Sequence, residues 1–174
     1  MDQVGYDTYC KLLDEVIKEI QGEEIKEEID VQIDLNISSY IPDEYIENSS
    51  QKIEIYQDIA LSRTEKDIEN VIDEMIDRFG PMPEEVNNLL EIARIKELSK
   101  QSYVIKIIQR KESIVFHFDT KNFKMEVVES LIKKYHNEIR FSPGKEPYIT
   151  YKVPQNSDSI IIKKVKEFLQ TIKN

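Results

Sequence analysis

A chain of 174 residues with 40% hydrophobic content can form one compact core with an appended helix, but it is short for two full domains. The single cysteine, Cys10, excludes an internal disulfide, and no stretch is long and apolar enough for a signal peptide or a membrane span. The chain is therefore predicted to be cytoplasmic.

The formal net charge of −10 is unevenly distributed along the chain. Residues 1–102 contain 10 Lys and Arg against 26 Asp and Glu, whereas residues 103–174 contain 14 against 8. The first part therefore carries −16 and should repel phosphate backbones, and the second part carries +6. Any binding of nucleic acid is expected in residues 103–174, although no Gly-rich loop or known reader motif accompanies their lysines.

Residues 1–30 are predicted to be a linker rather than part of the domain. Apolar residues recur at helical spacing from Tyr6 to Ile20, and Gly22 ends the pattern. This amphipathic helix needs a partner surface to cover its apolar side. The acid-rich residues 23–30 follow as a flexible connection. The domain itself is then expected to span residues 31–174.

The predicted domain begins with a strand, a helical turn and a helix. Residues 31–37 alternate between apolar and polar, which is typical of a strand with one buried face. Residues 42–46 can form one helical turn. Ser49 or Ser50 is expected to cap a helix that runs to about Leu61. The residues predicted to face inward on this helix are Ile53, Tyr56, Ile59 and Ala60.

The clearest helical pattern in the chain lies between Thr64 and Pro83. Thr64 is placed to cap the amino end, and Gly80 followed by Pro81 ends the helix. Six apolar residues at spacings of three and four share its inner stripe: Ile68, Val71, Ile72, Met75, Ile76 and Phe79. Four polar residues form an acidic outer face: Asp67, Asn70, Glu74 and Asp77. Solvation is the simplest interpretation of such a face, and Arg78 can pair with Glu74 across one helical turn.

The remainder of the chain alternates between helices and pairs of strands. A helix from Pro83 to about Lys100 carries apolar residues on more than one side, which predicts a central position in the core. The pattern then reads β-β-α-β-β-α: strands at residues 103–109 and 113–119, a helix capped by Asn122, strands at 138–141 and 147–153, and a helix capped by Ser157. This order predicts an α+β fold with a mainly antiparallel sheet packed with several helices.

The sequence contains no combination of residues typical of an enzyme. His117 and Asp119 share one face of a predicted strand, but a third metal ligand is missing at a characteristic spacing. Cys10 has no histidine nearby in the sequence, and none of the four glycines belongs to a phosphate-binding loop or a dinucleotide fingerprint. We therefore predict no catalytic residues, no cofactor and no metal.

Two stretches carry a resemblance to a known family. Residues 73–96, DEMIDRFGPMPEEVNNLLEIARIK, and residues 35–46, LNISSYIPDEYI, are similar to the carboxy-terminal (TRCF) domain of bacterial transcription-repair coupling factors. The match extends from about Val4 to the end of the chain and is dense between Leu35 and Leu98. In this family the first helix joins the domain to the translocase part of the protein, so the resemblance implies that the chain is a piece of a longer factor.

The resemblance also implies a function and a binding surface. The intact factor would be an ATP-driven DNA translocase that removes stalled RNA polymerase and recruits the repair protein UvrA. The terminal domain would dock on the UvrB-like amino-terminal module of the same chain, cover the surface that UvrA uses, and keep the protein inactive until polymerase is engaged. The acidic contact pair of the family falls on Glu74 and Asp77, which would meet arginines of that module. Asn70 and Arg78 complete the predicted partner-binding set.

Two other functions are compatible with the sequence. The first is a nucleic-acid-binding accessory domain that uses the basic residues 103–174. Such a domain would need aromatic side chains on an exposed face of the sheet, and Tyr148 and the row containing Phe116 are the candidates. The second is a purely structural cap on the translocase, for which the charges of Glu74 and Asp77 would not matter.

Overall fold

The computed structural model describes residues 29–154 and 157–173. The predicted linker helix, Cys10 and most of the acidic connection lie outside these residues, so the division into residues 1–30 and 31–174 stays a prediction. No helix within the described ranges is long and apolar enough to cross a membrane. The described residues form two compact units: residues 37–94, here called the helical unit, and residues 29–36 with 95–154 and 157–173, here called the sheet unit.

The helical unit contains a helical turn and the helices α1 (Ser49–Leu61) and α2 (Glu65–Phe79). The predicted turn is confirmed, because the Ile46 N–H donates to the Pro42 carbonyl over 3.1 Å. The cap of α1 is not a serine: the side chain of Asn48 accepts from the Gln51 N–H at 3.0 Å. Asn caps a helix as well as Ser does, and its position lets the helix begin at Ser49.

The prediction of the inner side of α1 was wrong at one position. Ile53 is 46% exposed, whereas Ile55, which was not predicted, is completely buried. Tyr56, Ile59 and Ala60 are buried as expected. At about 100° per residue, Ile55 pairs with Ile59 and Tyr56 with Ala60 on one stripe, and Ile53 lies about 160° away from Ile55. The buried side of α1 is therefore formed within residues 55–60, and Ile53 points away from it.

Helix α2 is fixed at its amino end by a reciprocal capping box. The Thr64 hydroxyl accepts from the Asp67 N–H at 3.2 Å, and the Asp67 carboxylate accepts from the N–H groups of Thr64 at 3.1 Å and Arg63 at 2.9 Å. These bonds satisfy backbone donors that the first helical turn would otherwise leave without a partner. The predicted cap is confirmed.

The carboxyl end of α2 is fixed just as firmly. Gly80 has a φ of 86°, a value that side chains disfavour, and its N–H donates to the Ile76 carbonyl at 3.0 Å. The Tyr45 hydroxyl donates to the Gly80 carbonyl at 2.8 Å, and the Tyr45 ring packs 5.9 Å from that of Phe79. The predicted end of the helix is confirmed, but Ile76 is 47% exposed rather than buried.

Helix α3 (Glu84–Gln101) buries apolar residues on more than one side, as predicted. Its buried apolar residues are Val86, Leu89, Leu90, Ile92, Ala93 and Ile95. The boundary between the two units falls within this helix, after Arg94. In the helical unit, the Asn88 side chain donates to the Ser38 carbonyl at 3.0 Å. In the sheet unit, the Ser102 hydroxyl lies 3.2 Å from the carbonyl of Leu169.

The sheet unit is built on five strands in the order β1-β2-β3-β5-β4. Their bounds are β1 (Gln32–Asp34), β2 (Val104–Arg110), β3 (Ser113–Phe118), β4 (Ile139–Ser142) and β5 (Tyr148–Lys152). Only β1 and β2 are parallel, and the other neighbours are antiparallel. With helices α4 (Met125–Tyr135) and α5 (Asp158–Ile172), this confirms an α+β fold with a mainly antiparallel sheet.

One face of the sheet is covered by α4 and α5. Ile114, Phe116 and Phe118 share this face, as predicted, and each is at most 1% exposed. Phe168 of α5 stacks on Phe116 with ring centroids 3.9 Å apart, and Tyr135 of α4 packs 4.8 Å from Tyr151 of β5. These aromatic contacts join both helices to the sheet and form the core of the unit.

The cap predicted for α4 was wrong. The helix begins at Met125 after Lys124, and the Asn122 amide instead donates to the Asp119 carboxylate at 2.6 Å. Phe123 lies before the helix, 5.2 Å from Phe118 and 5.7 Å from Phe141 between ring centroids. The apolar contacts of Phe123 hold this segment on the sheet, so the first helical turn forms later than its polar signal suggests.

The capping box predicts a pH-dependent contribution of Asp67 to stability. The N–H donors of Arg63 and Thr64 lower the pKa of Asp67 below its ordinary value of 3.8. The stabilisation is therefore complete above that value and is lost as the pH falls through the lowered pKa of the folded state. Asp67→Ala should reduce the free energy of urea unfolding at neutral pH, with a difference that shrinks in strong acid. Asn70→Ala, on the same helix without a titrating group, should show a constant difference.

Candidate functional site

Two of the four predicted site residues, Asn70 and Glu74, line an open groove between α1 and α2. The groove has a volume of about 350 Å³, and its lining includes Asp58, Leu61, Asp67, Asn70, Val71 and Glu74. Leu61 is 52% exposed, so an apolar side chain stands among the acids. We call this depression the acidic groove. It offers a partner both negative charge and a limited apolar contact.

Three carboxylates meet at one side of the acidic groove. Glu54 and Asp58 of α1 and Glu74 of α2 each place a carboxylate oxygen within 4.8 Å of the others. Arg78 enters this acid cluster: its Nη1 lies 2.9 Å from Glu74 Oε1 and 3.5 Å from Glu54 Oε1. The predicted pairing of Glu74 with Arg78 is confirmed, and Arg78 also links the two helices through Glu54.

The acid cluster changes the protonation behaviour of Asp58. Partial burial raises the pKa of Asp58 above its ordinary value, and the negative charges of Glu74 and Glu54 raise it further. Arg78 acts in the opposite direction, but its positive charge does not cancel the other effects. The ionised form of Asp58 is therefore disfavoured in the folded protein, and Asp58 has no salt bridge among the described residues that would offset this.

Asp77 is placed differently from Glu74, although the two are one helical turn apart. Asp77 is exposed, and its side chain forms no hydrogen bond or ion pair with any residue that the structure describes. Asn70 is likewise exposed, at the edge of the acidic groove. Of the predicted acidic pair, Asp77 therefore stands clear of the described residues and Glu74 is held by Arg78. The assignment of all four residues to a binding surface stays a prediction.

Two further acids on α2 were missed by the sequence analysis. Glu69 and Asp73 are exposed on the same side as Asp77, whereas Asp67 is engaged in the capping box. The spacing of four residues from Glu69 through Asp73 to Asp77 was the available signal, since it aligns these carboxylates along one edge of the helix. The outermost surface of α2 is therefore more acidic than predicted.

The described side chains that could bind a metal lie in the acid cluster and not around His117 and Asp119, the pair considered from the sequence. Among the described residues, the acid cluster is the one group of three or more ligand side chains close together, and Arg78 already supplies it with positive charge. The His117–Asp119 pair gains no third ligand there. Asp119 is engaged by the Asn122 amide, and the Nδ1 atom of His117 is buried without a hydrogen-bond partner.

The fold of this chain matches that of a domain of known structure. A solved crystal structure of the C-terminal domain of a transcription-repair coupling factor superposes on it with a TM-score of 0.74 at 24% sequence identity. The match covers 82% of this chain and 91% of that domain. The architecture is thus that of a C-terminal domain of this kind.

The sequence gives the family directly. The TRCF domain family matches residues 35–127, and the chain belongs to this family, which confirms the resemblance found in the sequence. The transcription-repair-coupling factor of Borreliella burgdorferi is 28% identical over 163 residues, covering 92% of this chain and 14% of that protein. The protein of the same name from Staphylococcus haemolyticus is 36% identical over 136 residues, covering 77% and 12%. The chain spans at most 14% of the length of these relatives.

The acid cluster predicts a stabilising substitution. Because the pKa of Asp58 is raised in the folded state, its ionised form destabilises the fold above that pKa, and the penalty disappears as the group is protonated. Asp58→Asn should raise the free energy of unfolding at pH 7, by less than about 1 kcal/mol since the group is only partly buried. The gain should vanish at about pH 2. Urea unfolding at both pH values measures it, and a gain that persists in acid would contradict the electrostatic explanation.

Proposed function

We propose that this chain is the C-terminal regulatory domain of a transcription-repair coupling factor, and that it acts by docking on the UvrB-like amino-terminal module of the same protein. Docking would mask the surface that binds UvrA and restrain the ATP-driven DNA translocase until stalled RNA polymerase is engaged. The observation that carries this proposal is Asp77, an exposed carboxylate without a partner among the described residues, held on a helix that is fixed at both ends.

The rigidity of α2 makes such a carboxylate useful for recognition. A side chain on a helix that is capped at both ends loses little backbone freedom when it binds, so more of the contact energy remains. The carboxylate of Asp77 can accept two parallel N–H bonds from an arginine of the partner. Glu69 and Asp73 on the same side extend the negative surface that such an arginine would approach.

Glu74 would contribute in a different way from Asp77. Its Oε1 accepts from Arg78, which leaves Oε2 for a partner arginine. Arg78 lies over the Phe79 ring, 5.0 Å from its centroid, so its guanidinium is oriented by contacts on two sides. Arg78 would therefore hold the Glu74 carboxylate in one orientation for a partner arginine, while it neutralises part of the negative charge. Asn70 adds an amide at the rim of the acidic groove.

The strength of these contacts suits a reversible restraint. Exposed ion pairs contribute about 1 kcal/mol or less each and weaken with salt. A tether within one chain raises the effective concentration of the two surfaces, so a few such contacts hold a closed form. The same contacts break easily when another partner competes. Activation by a binding event elsewhere in the factor is therefore energetically reasonable.

Charge reversal at Asp77 tests the proposal in the full-length factor. Asp77→Lys places a positive charge opposite the partner arginine and should raise the affinity for UvrA by about fivefold or more, because one exposed pair is lost and repulsion is added. The affinity is measured by titrating immobilised UvrA. Glu129→Lys, the same charge change at an exposed position of α4, should leave the affinity unchanged.

Two results would contradict the proposal. Equal UvrA affinity in the wild-type factor and Asp77→Lys would favour a purely structural cap. An equal rise with Glu129→Lys would show an effect of net charge alone. Because Asp77 has no partner among the described residues, its replacement should leave the domain folded, and urea unfolding of the variant checks this directly.

Salt dependence tests the docking surface itself. The isolated chain should bind the separately produced UvrB-like module in trans, weakly, and its dissociation constant should rise severalfold between about 0.05 M and 0.5 M salt, since exposed pairs are screened. Calorimetric titration measures this, with Asp77→Lys and Glu129→Lys as the test and control variants. An affinity that ignores salt would point to an apolar interface and would contradict docking through these acids.

A further inference from the structure

The sheet has a second face, opposite the one that α4 and α5 cover. Strand residues alternate between faces, and residues paired across strands share a face. The buried face holds Ile107, Ile114, Phe116, Ile149 and Tyr151, each at most 1% exposed. Their neighbours along each strand therefore lie on the other side, here called the open face. Within the open face, Val115 is the one buried residue of β2, β3, β4 and β5.

The strand register arranges the open face in three rows. The first row joins Lys106, His117, Tyr148 and Ser142, the second joins Ile108, Val115, Thr150 and Arg140, and the third joins Arg110, Ser113 and Lys152. Neighbouring strands are about 4.8 Å apart and successive rows about 7 Å apart, so these side chains form a continuous surface.

The cations of the open face are unpaired. The side chains of Lys106, Arg110, Arg140 and Lys152 form no hydrogen bond or ion pair with any residue in the described ranges. By contrast, Arg78 and Arg94 of the helical unit each form two ion pairs. Asp34 of the edge strand β1 is the one acid among the residues of β1–β5, and its pairing with Ile108 places it on this same face. The open face is therefore a local positive surface on a chain of net charge −10.

Two aromatic rings lie in the first row between these cations. His117 and Tyr148 face each other at 5.3 Å between ring centroids, with an interplanar angle of 37°, and both are only half-buried. Partial burial and then the positive charge of Lys106 lower the pKa of His117; Glu146 acts in the opposite direction, and Arg110 lowers the pKa further. The imidazole is therefore neutral at pH 7, and it adds a flat surface rather than a further charge.

We propose that the open face of the sheet binds single-stranded nucleic acid, with Lys106, Arg110, Arg140 and Lys152 contacting phosphates and Tyr148 with His117 stacking on bases. Such binding combines a cationic track with aromatic rings on which bases of any sequence stack. Phe116, predicted from the sequence as a stacking residue, is completely buried and is excluded from this role. The inference concerns the sheet unit alone and does not depend on docking through α2.

Nucleic acid fits this surface better than an acidic protein does. An acidic protein needs cations but gains nothing specific from two adjacent rings, whereas bases do. Residues 1–102 carry −16 and repel a polyanion, so binding is expected within the positively charged residues 103–174. Exposed lysines of α4 and α5 belong to the same part, so a matched charge reversal on these helices separates the open face from general charge attraction.

The first test removes the phosphate contacts. The dissociation constant of the 174-residue chain for a fluorescent oligothymidylate of about 12 nucleotides is measured by anisotropy at about 50 mM salt. Arg110→Glu with Lys152→Glu should weaken binding about tenfold or more and reduce the slope of log affinity against log salt by about 1 to 2. Lys133→Glu with Lys163→Glu, the same charge change on exposed positions of α4 and α5, should weaken it far less.

The second test concerns the rings and the class of ligand. Tyr148→Ala should weaken binding about fivefold or more, and Tyr148→Phe should keep it, because stacking needs the ring and not the hydroxyl. A duplex of the same length and polyglutamate should both bind more weakly than the single strand. No binding by the wild-type chain, equal losses in the two charge-reversed pairs, or equal affinity for duplex or polyglutamate would each overturn the proposal.

Discussion

The fixed position of α2 is the constraint on which the candidate site depends. The capping box of Thr64 and Asp67 holds its first turn, and Tyr45 together with Gly80 holds its last. Ile68, Val71 and Met75 are buried along its inner side, so the helix can neither rotate nor fray without exposing them. A helix restrained in this way presents its opposite side in one orientation, so the backbone positions of the exposed acids are fixed.

The periodic features of the fold could be predicted from the sequence. The 3.6-residue period of α2 identified Ile68, Val71 and Met75 as buried, although Ile76 of the same predicted stripe is exposed. The alternation in β3 identified Ile114, Phe116 and Phe118 as core residues. These predictions succeeded because a buried stripe is a property of many residues at once. A single polar signal is weaker: Asn122 looks like a cap, but the apolar contacts of Phe123 decide where α4 begins.

The candidate site was predictable only in part, since the sequence places residues on a face without giving their partners. It showed that Glu74 and Asp77 lie on the outer side of α2, and it suggested the contact of Glu74 with Arg78. It could not show that Glu54 and Asp58 of α1 approach Glu74, because such contacts depend on how two helices pack. The sequence suggested Tyr148 on an exposed face of the sheet but wrongly added the row of Phe116, because the rows of the open face are defined only once the register of the strands is known.

The order of the strands has a consequence for how the two units are connected. β1 precedes the helical unit in the chain and β2 follows it, yet these strands are parallel neighbours in one sheet. Residues 37–94 are thus an insertion between adjacent strands, with both of their ends continuous with the sheet unit. A mechanical load applied to the helical unit is shared by two covalent connections instead of one. If the chain were cut at either connection, the other would remain intact. β1 would then be held in the sheet only by its short pairing with β2.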